Sequence, residues 1–250
     1  MNHNLKLIIV GPIILILVWV ILAYSKIIDP LFLATPSETA QALADLFSSG
    51  ILISDIIATL IRVFYSFAIA TILGIFFGLL ISISQKIYSM FEIVIDFFRS
   101  IPAVALFPLF MLFFGIGDSS KISVAVFIAF WIILLNTTYG VRHSSGIRRQ
   151  TFQIFQANKL QIFREVILMD ALPQIFIGLR VALSLIMVAI VATEMFIGSN
   201  NGLGYRIFDG YLTYRIPELY ATLLVTGLIG YLLNKFFVFF ERKTIHWTGK

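Results

Sequence analysis

Three ionisable side chains fall within or beside long apolar runs of this 250-residue chain: Arg62, Arg180 and Glu194. A charge in such a run is costly unless it pairs, reaches water or binds something, so each is a candidate for ion or solute recognition. Arg62 could attract an anion. Arg180 and Glu194 are fourteen residues apart, roughly 21 Å along one helix, too far to pair with each other. Arg180 is expected to snorkel to a headgroup region, and Glu194 to bond loop backbone or a solute. His3, His143 and His246 are scattered and read as unrelated surface imidazoles. A Gly-rich phosphate loop, a His-Glu-x-x-His and a Gly-x-Ser-x-Gly are all absent, and the only Gly-Lys pair is Gly249-Lys250. With no Cys either, thiol nucleophiles and Cys-ligated metals are excluded. No cofactor or metal is expected in this chain, and any ATP chemistry must come from another.

The composition says what positions these residues. The chain is 60% hydrophobic and 12% charged, about half the charge of an ordinary soluble domain. It cannot cover a globule of its size with polar surface, and it is too apolar for disorder. A span needs about 20 mostly apolar residues. Six runs qualify: Leu7–Tyr24, Ile56–Ile83, Val104–Phe114 extended backward through Met90–Phe98, Ile122–Tyr139, Ile175–Ile197 and Leu219–Phe240. Arg99 and Pro102 interrupt the third. The first reads as an uncleaved anchor, because it is longer than a signal-peptide core and no small-x-small site follows Tyr24. The fold class expected is therefore all-α, with six transmembrane helices.

Six spans put both termini on one side, and the basic residues choose it. Lys6, Lys86, Arg99, Arg142, Arg148, Arg149, Lys159, Arg164, Lys235, Arg242, Lys243 and Lys250 fall on one side; Lys26, Lys121, Arg206 and Arg215 fall on the other. The first side is expected to be cytoplasmic. The net charge of +5 is then a consequence of topology, and no nucleic-acid partner is expected.

Between the spans, Thr35-Pro36-Ser37-Glu38 is a helix-start signal, with the helix beginning near Ser37. Ala40, Leu43, Ala44 and Phe47 recur at helical spacing and suggest an amphipathic helix along the outer surface. On the inner side, 141–173 is helical in pattern. Ile147, Ile154, Phe155, Ile162, Phe163 and Val166 alternate with Arg and Gln. Apolar residues on a basic inner segment suggest a docking surface for membrane lipid or a partner protein. Ala70, Gly74 and Gly78 form a row of small residues that permits close helix packing, within the chain or at a homodimer seam.

Two stretches carry a resemblance. Ile101-Pro102-Ala103-Val104-Ala105-Leu106-Phe107-Pro108-Leu109 runs into Phe114-Gly115-Ile116-Gly117-Asp118-Ser119-Ser120-Lys121-Ile122. Val191-Ala192-Thr193-Glu194-Met195 is followed by Asn201-Gly202-Leu203-Gly204-Tyr205. Together they resemble the membrane permease subunits of ABC importers for nitrate, taurine and aliphatic sulfonates, over roughly 54–241. The resemblance implies a type I ABC importer permease fold with cytoplasmic N and C termini in a bacterial plasma (inner) membrane. It implies as partners a cytoplasmic ABC ATPase dimer carrying ATP and Mg, a second permease copy or paralogue, and a periplasmic or lipid-anchored solute-binding protein. Residues 1–53 are then a first transmembrane helix with an outer amphipathic segment. Residues 54–250 are the permease core, with a cytoplasmic coupling loop near 141–173.

The family's coupling loop, usually Glu-Ala-Ala with a Gly six residues after the Glu, falls on Gln150–Lys159. There the Glu position is Gln150, the two Ala positions are Thr151 and Phe152, and the Gly position is Gln156. A turn with Gln in place of Gly should be strained or reshaped. Asn158 tolerates that conformation better and could shift the turn by two residues. The resemblance places ATPase coupling on Arg149, Gln150, Phe152, Phe155, Gln156 and Lys159. The candidates for the solute pathway are Arg62, Ser100, Met111, Thr193 and Glu194, since charges within spans are costly and the irregular backbone at Ser100–Pro102 is tolerated only when buried in protein or lining water. The chain is thus expected to be a transport subunit rather than an enzyme. The alternatives are a motor-uncoupled channel or a non-transporting partner in a heteromeric permease. An ion-coupled carrier is disfavoured by the lack of paired acids inside spans.

Overall fold

A computed structural model describes residues 2–25 and 27–245, with side chains from Val10 onward. Lys26, His246, Gly249 and Lys250 lie outside the described residues, as do the side chains of His3 and Lys6. Among the described residues the chain is helical throughout, without strands. The helices are α1 (Asn2–Tyr24), α2 (Pro36–Ser48), α3 (Ile51–Ile81), α4 (Gln85–Arg99), α5 (Phe107–Phe114), α6 (Asp118–Arg142), α7 (Gly146–Ile154), α8 (Lys159–Ile162), α9 (Met169–Phe196), α10 (Leu203–Leu212) and α11 (Ile216–Thr244).

Four stretches are long and apolar enough to cross a bilayer: α3, α6, the continuous helix Lys159–Phe196, and α11. The interrupted third run is a broken element. α4 and the segment Ala103–Phe114 meet at 89°, and count as a fifth span if taken as one. The break follows from Pro102, which has no N–H and pushes the preceding residue out of the helical region. α5 ends on Gly115 at φ 76, a left-handed conformation that costs glycine little.

The chain forms two compact units, Met1–Ala58 with Asn200–Leu228, and Thr59–Ser199 with Ile229–Lys250. In the first, the Trp19 indole donates to the Ala34 carbonyl at 3.1 Å and its ring stacks on Tyr220. α2 starts where the sequence signal placed it. The Glu38 N–H donates to Thr35 Oγ1 (3.2 Å), and the Thr35 N–H donates to Glu38 Oε2 (2.9 Å), a reciprocal capping box. The Thr35 N–H, together with the Thr35 hydroxyl that also donates to Glu38 Oε2 at 2.8 Å, holds the Glu38 carboxyl below its ordinary range. The cap also sets the helix phase, and here the expected stripe is corrected. Thr39, Ala42 and Leu46 are buried, while Ala40, Ala44 and Phe47 are exposed.

The second unit is organised around α6. Val124, Ala125, Ala129, Ile133 and Thr137 are fully buried along it. The small row on α3 packs against it within the chain. A Cβ added to Gly74 would lie 2.7 Å from Ile133 Cβ, and one on Gly78 would lie 2.7 Å from Thr137 Cβ and 2.9 Å from the Leu134 carbonyl oxygen. On the other side, a Cβ on Gly178 of α9 would lie 2.5 Å from Asn136 Cβ. Thr138 donates to the Gly78 carbonyl at 3.2 Å, and Gln174 Nε2 to Asn136 Oδ1 at 2.9 Å. Small residues thus bring three helix backbones into contact, and side-chain hydrogen bonds link them.

Gly78→Ala should therefore destabilise the protein by about 1–3 kcal/mol, the range for overpacking. Gly227→Ala, where nothing lies within 4 Å, should be neutral or stabilising by up to ~1 kcal/mol. Melting of the two variants in detergent measures the contrast.

Candidate functional site

Two features stand apart chemically, both in the second unit. The first is a buried ion cluster at one end of α6. Arg62 of α3 donates through Nη1 to Glu194 Oε1 at 2.6 Å and through Nε to Asp118 Oδ1 at 2.8 Å. Thr59 Oγ1, one helical turn before Arg62, lies 2.9 and 3.0 Å from the two Glu194 oxygens. Lys121 Nζ is 3.5 Å from Asp118 Oδ1 and donates to Ser199 Oγ at 3.1 Å. Each of the two cations thus has a carboxylate partner, and the Asp118 side chain, 59% exposed, reaches the edge of the cluster. Arg62 and Glu194 are 4% and 1% exposed. In a low-dielectric setting such charges persist only when paired and hydrogen-bonded.

This differs from the separate roles suggested for Arg62 and Glu194. Glu194 is joined to an Arg on another helix, and Arg180 lies 3.7 Å from Glu241 instead. Lys121, assigned to an outer loop, is buried, because α6 already begins at Asp118. Thr59, Asp118 and Lys121 were not singled out as partners. Their signal was the i,i+3 spacing of Thr59 with Arg62 and of Asp118 with Lys121, which puts each pair on one helix face. Thr193 is fully buried and bonds the Ile190 carbonyl at 2.9 Å. Met111 packs against the core of Phe107, Val124 and Ile197. Ser100 caps α4 at the bend, is exposed, and donates to the Asp96 carbonyl at 2.7 Å. The first unit has a cluster of its own. Buried Asp55 accepts from the Gly202 N–H and from Arg206 Nε, each at 2.8 Å, anchoring the Asn201–Tyr205 stretch.

The second feature is the α7–α8 hairpin. α7 opens on Ser145, whose Oγ accepts from the Arg148 N–H (3.3 Å), and Arg148 pairs with Asp170 at 2.6 Å. At the far end, the Gln156 N–H donates to the Gln153 carbonyl and the Ala157 N–H to the Phe152 carbonyl, each at 3.0 Å. This pair of bonds is a Schellman termination, which requires a left-handed residue. That residue is Gln156, at φ 58. The turn therefore stays at the Gly position and does not move to Asn158. Asn158, at φ −72, is already engaged as the N-cap of α8, with reciprocal bonds to Gln161 of 2.9 and 2.8 Å.

The hairpin leaves apolar side chains uncovered. Ile147 is 79% exposed, Ile154 80% and Phe155 79%. Gln150 and Lys159 are exposed as well. Phe152 is half-buried beside Ala157, and Arg149 folds back to donate to the Val141 carbonyl (3.2 Å) and to Ser144 Oγ. Val166, counted above with the docking pattern, is fully buried, because the π-helical turn Phe163–Leu168 leads into α9 and turns it inward. No group of three His, Cys, Asp or Glu side chains suited to a metal occurs among the described residues.

An all-helical fold with bilayer-length helices, a broken span and an exposed hairpin between spans is that of a multi-span membrane protein. Residues 70–244 match the family described as binding-protein-dependent transport system inner membrane component, and the chain belongs to that family. It is 34% identical over 187 residues to the nitrate import permease of a Synechocystis species, covering 75% of this chain and 68% of that one. It is 27% identical over 239 residues to a putative aliphatic sulfonates transport permease of Bacillus subtilis, covering 94% and 85%. Its fold is that of a chain of the inward-facing MetNI methionine ABC transporter, with a TM-score of 0.67 at 20% identity over 80% of this chain and 97% of that one. The protein is a multi-pass inner-membrane permease subunit of an ABC importer, a transport component whose ATPase is a separate subunit. Such permeases work with a cytoplasmic ATPase and a solute-binding protein.

Removing one partner of the buried pair should be costly. Arg62→Met or Glu194→Met should each lower stability by about 3–5 kcal/mol, and the double variant Arg62→Met/Glu194→Met should recover part of the loss. A double-mutant cycle on thermal melts measures the coupling. Gln156→Gly should act in the other direction, relieving a left-handed side chain by about 1 kcal/mol, read as slower amide exchange at Gln156 and Ala157.

Proposed function

We propose that this permease imports a small solute of the nitrate, sulfonate or taurine kind by alternating access between two permease subunits. A cytoplasmic ATPase dimer, binding ATP and Mg, drives it by gripping the α7–α8 hairpin. The observation that carries the reading is the uncovered apolar surface of that hairpin. Ile147, Ile154 and Phe155 project from a short basic segment between two spans, on a turn that keeps the Schellman geometry without its glycine. A permease that answers to a separate motor needs such a surface, because the motor shifts the equilibrium only by binding one permease state better than the other.

The topology proposed is six spans with both termini cytoplasmic, which puts the basic α6–α9 connection on the motor side. Phe155 and Ile154 supply apolar contact, Gln150 polar contact, and Phe152, Gln156, Arg149 and Lys159 form the turn and base that present them. A second copy or paralogue completes the pathway, and a periplasmic or lipid-anchored binding protein delivers the solute. On the pathway, exposed Ser100 at the bend is the residue offered to solute, and Met111 and Thr193 are the other neutral candidates. Arg62 and Glu194 pin together the helices that must move. Names of relatives support the solute class: nitrate for one, aliphatic sulfonates for another.

Phe155→Asp tests the reading in proteoliposomes carrying the permease and its ATPase. Burying a Phe is worth about 1.5–3 kcal/mol, so ATP-dependent uptake and ATPase stimulation should fall at least about tenfold, with membrane insertion unchanged. Uptake of equal extent without nucleotide would point to a passive channel and overturn the reading.

A further inference from the structure

The chain's cations are not paired evenly. Arg62, Lys121, Arg148, Arg164, Arg180, Arg206 and Arg215 each have a carboxylate within 4.0 Å. Arg142, Arg149 and Lys159, like Lys86, Lys235, Arg242 and Lys243, have none among the described residues, and the first three line one cavity of about 520 Å³ in the second unit. Its wall contains no acid. Ser82 and Gln85 are its neutral polar groups, and Leu79, Ile83, Val141, Phe163 and Ile167 are its apolar ones. Arg142 is held by the Gln85 amide oxygen and by the Tyr88 ring, 3.9 Å from its guanidinium. The Arg149 Nε is buried with no hydrogen-bond partner. A buried guanidinium N–H left without an acceptor is expensive, and native folds normally supply one.

We infer that this cavity binds the phosphate of an anionic phospholipid of the inner leaflet. Arg149 and Lys159 on a wall without an acid, with Arg142, which also lines a neighbouring cavity containing Glu92, give this cavity the charge of an oxyanion site. The apolar wall distinguishes a lipid from free phosphate, because it lies where α3 and α6 end and α9 begins, at headgroup depth for membrane-spanning helices. Basic pockets between spans on the cytoplasmic side hold lipid headgroups by the same physics. The orientation comes from the topology proposed above; the lipid assignment does not depend on the solute or on the motor.

Arg149 and Lys159 flank the hairpin's turn, so a lipid phosphate between them fixes the base of the hairpin while Ile154 and Phe155 stay free. The site therefore makes hairpin position sensitive to membrane charge.

The test is native mass spectrometry of the full-length permease released from nanodiscs of mixed phosphatidylglycerol and phosphatidylcholine. Wild type should retain phosphatidylglycerol in preference. Lys159→Gln, at an exposed position, should cut that preference about fivefold, the worth of one cation near an anionic surface. Arg149→Lys should keep more of it than Arg149→Gln, and Lys243→Gln, outside the cavity, should leave it unchanged. Equal retention of the two lipids by wild type, or an unaltered preference in Lys159→Gln, would overturn the inference. A second arm adds inorganic phosphate to lipid-free protein in detergent. Thermal stabilisation equal to that by phosphatidylglycerol would replace the lipid with a soluble phosphate. Because the readout is lipid retention, its failure leaves the uptake prediction standing, and failure of uptake leaves this one standing.

Discussion

The approach of α3 and α9 to α6 is the constraint on which the second unit depends. At one end of α6, Asp118 bonds Arg62 of α3, which in turn bonds Glu194 of α9. Fifteen and more residues along, over 20 Å at helical rise, Gly74, Gly78 and Gly178 let Ile133, Thr137 and Asn136 reach neighbouring backbone. Charge pairing fixes one end and small residues fix the other. In lipid, where apolar burial gives little drive for helices to associate, this division is expected: packing and polar bonds must do the joining.

Within that clamp Arg62 and Lys121 each have a carboxylate partner. A net charge buried among three helices would be paid for at every position of the transport cycle. Matched charges instead hold Thr59, Arg62, Asp118 and Glu194 in one arrangement.

The α7–α8 hairpin is built by different rules. Its shape comes from local bonds: the Ser145 cap, the Schellman pair at Gln156, and the reciprocal Asn158–Gln161 cap. Such a structure holds its form with few tertiary contacts, which is what lets Ile154 and Phe155 stay uncovered. The left-handed Gln156 is tolerated because both flanking caps over-determine it. Among the described residues, three cations without a carboxylate within 4.0 Å, Arg142, Arg149 and Lys159, lie at the base of the same hairpin, while Arg62 and Lys121 at the other end of α6 each have one.

Periodicity and composition determined the helical class, the apolar runs, the α2 start at Thr35–Glu38 and the broken third span. These are local matters, set by hydropathy, caps and proline. The sequence also marked Arg62 and Glu194 as costly and the stretch around Phe155 as exposed apolar surface. It did not show that Arg62 meets Glu194, 132 residues away, that the Gly74–Gly78 row packs inside the chain, or that Lys121 is buried. Nor did it show which face of α2 is covered, since Phe47 and Leu46 are both apolar neighbours and only one can point inward. Each of these depends on which helix lies opposite, and no spacing within one helix encodes its neighbour. The left-handed turn is the instructive middle case. Sequence chemistry favoured Asn158, but Asn158 was already engaged in capping α8, and the backbone bonds of the folded hairpin placed the strain on Gln156.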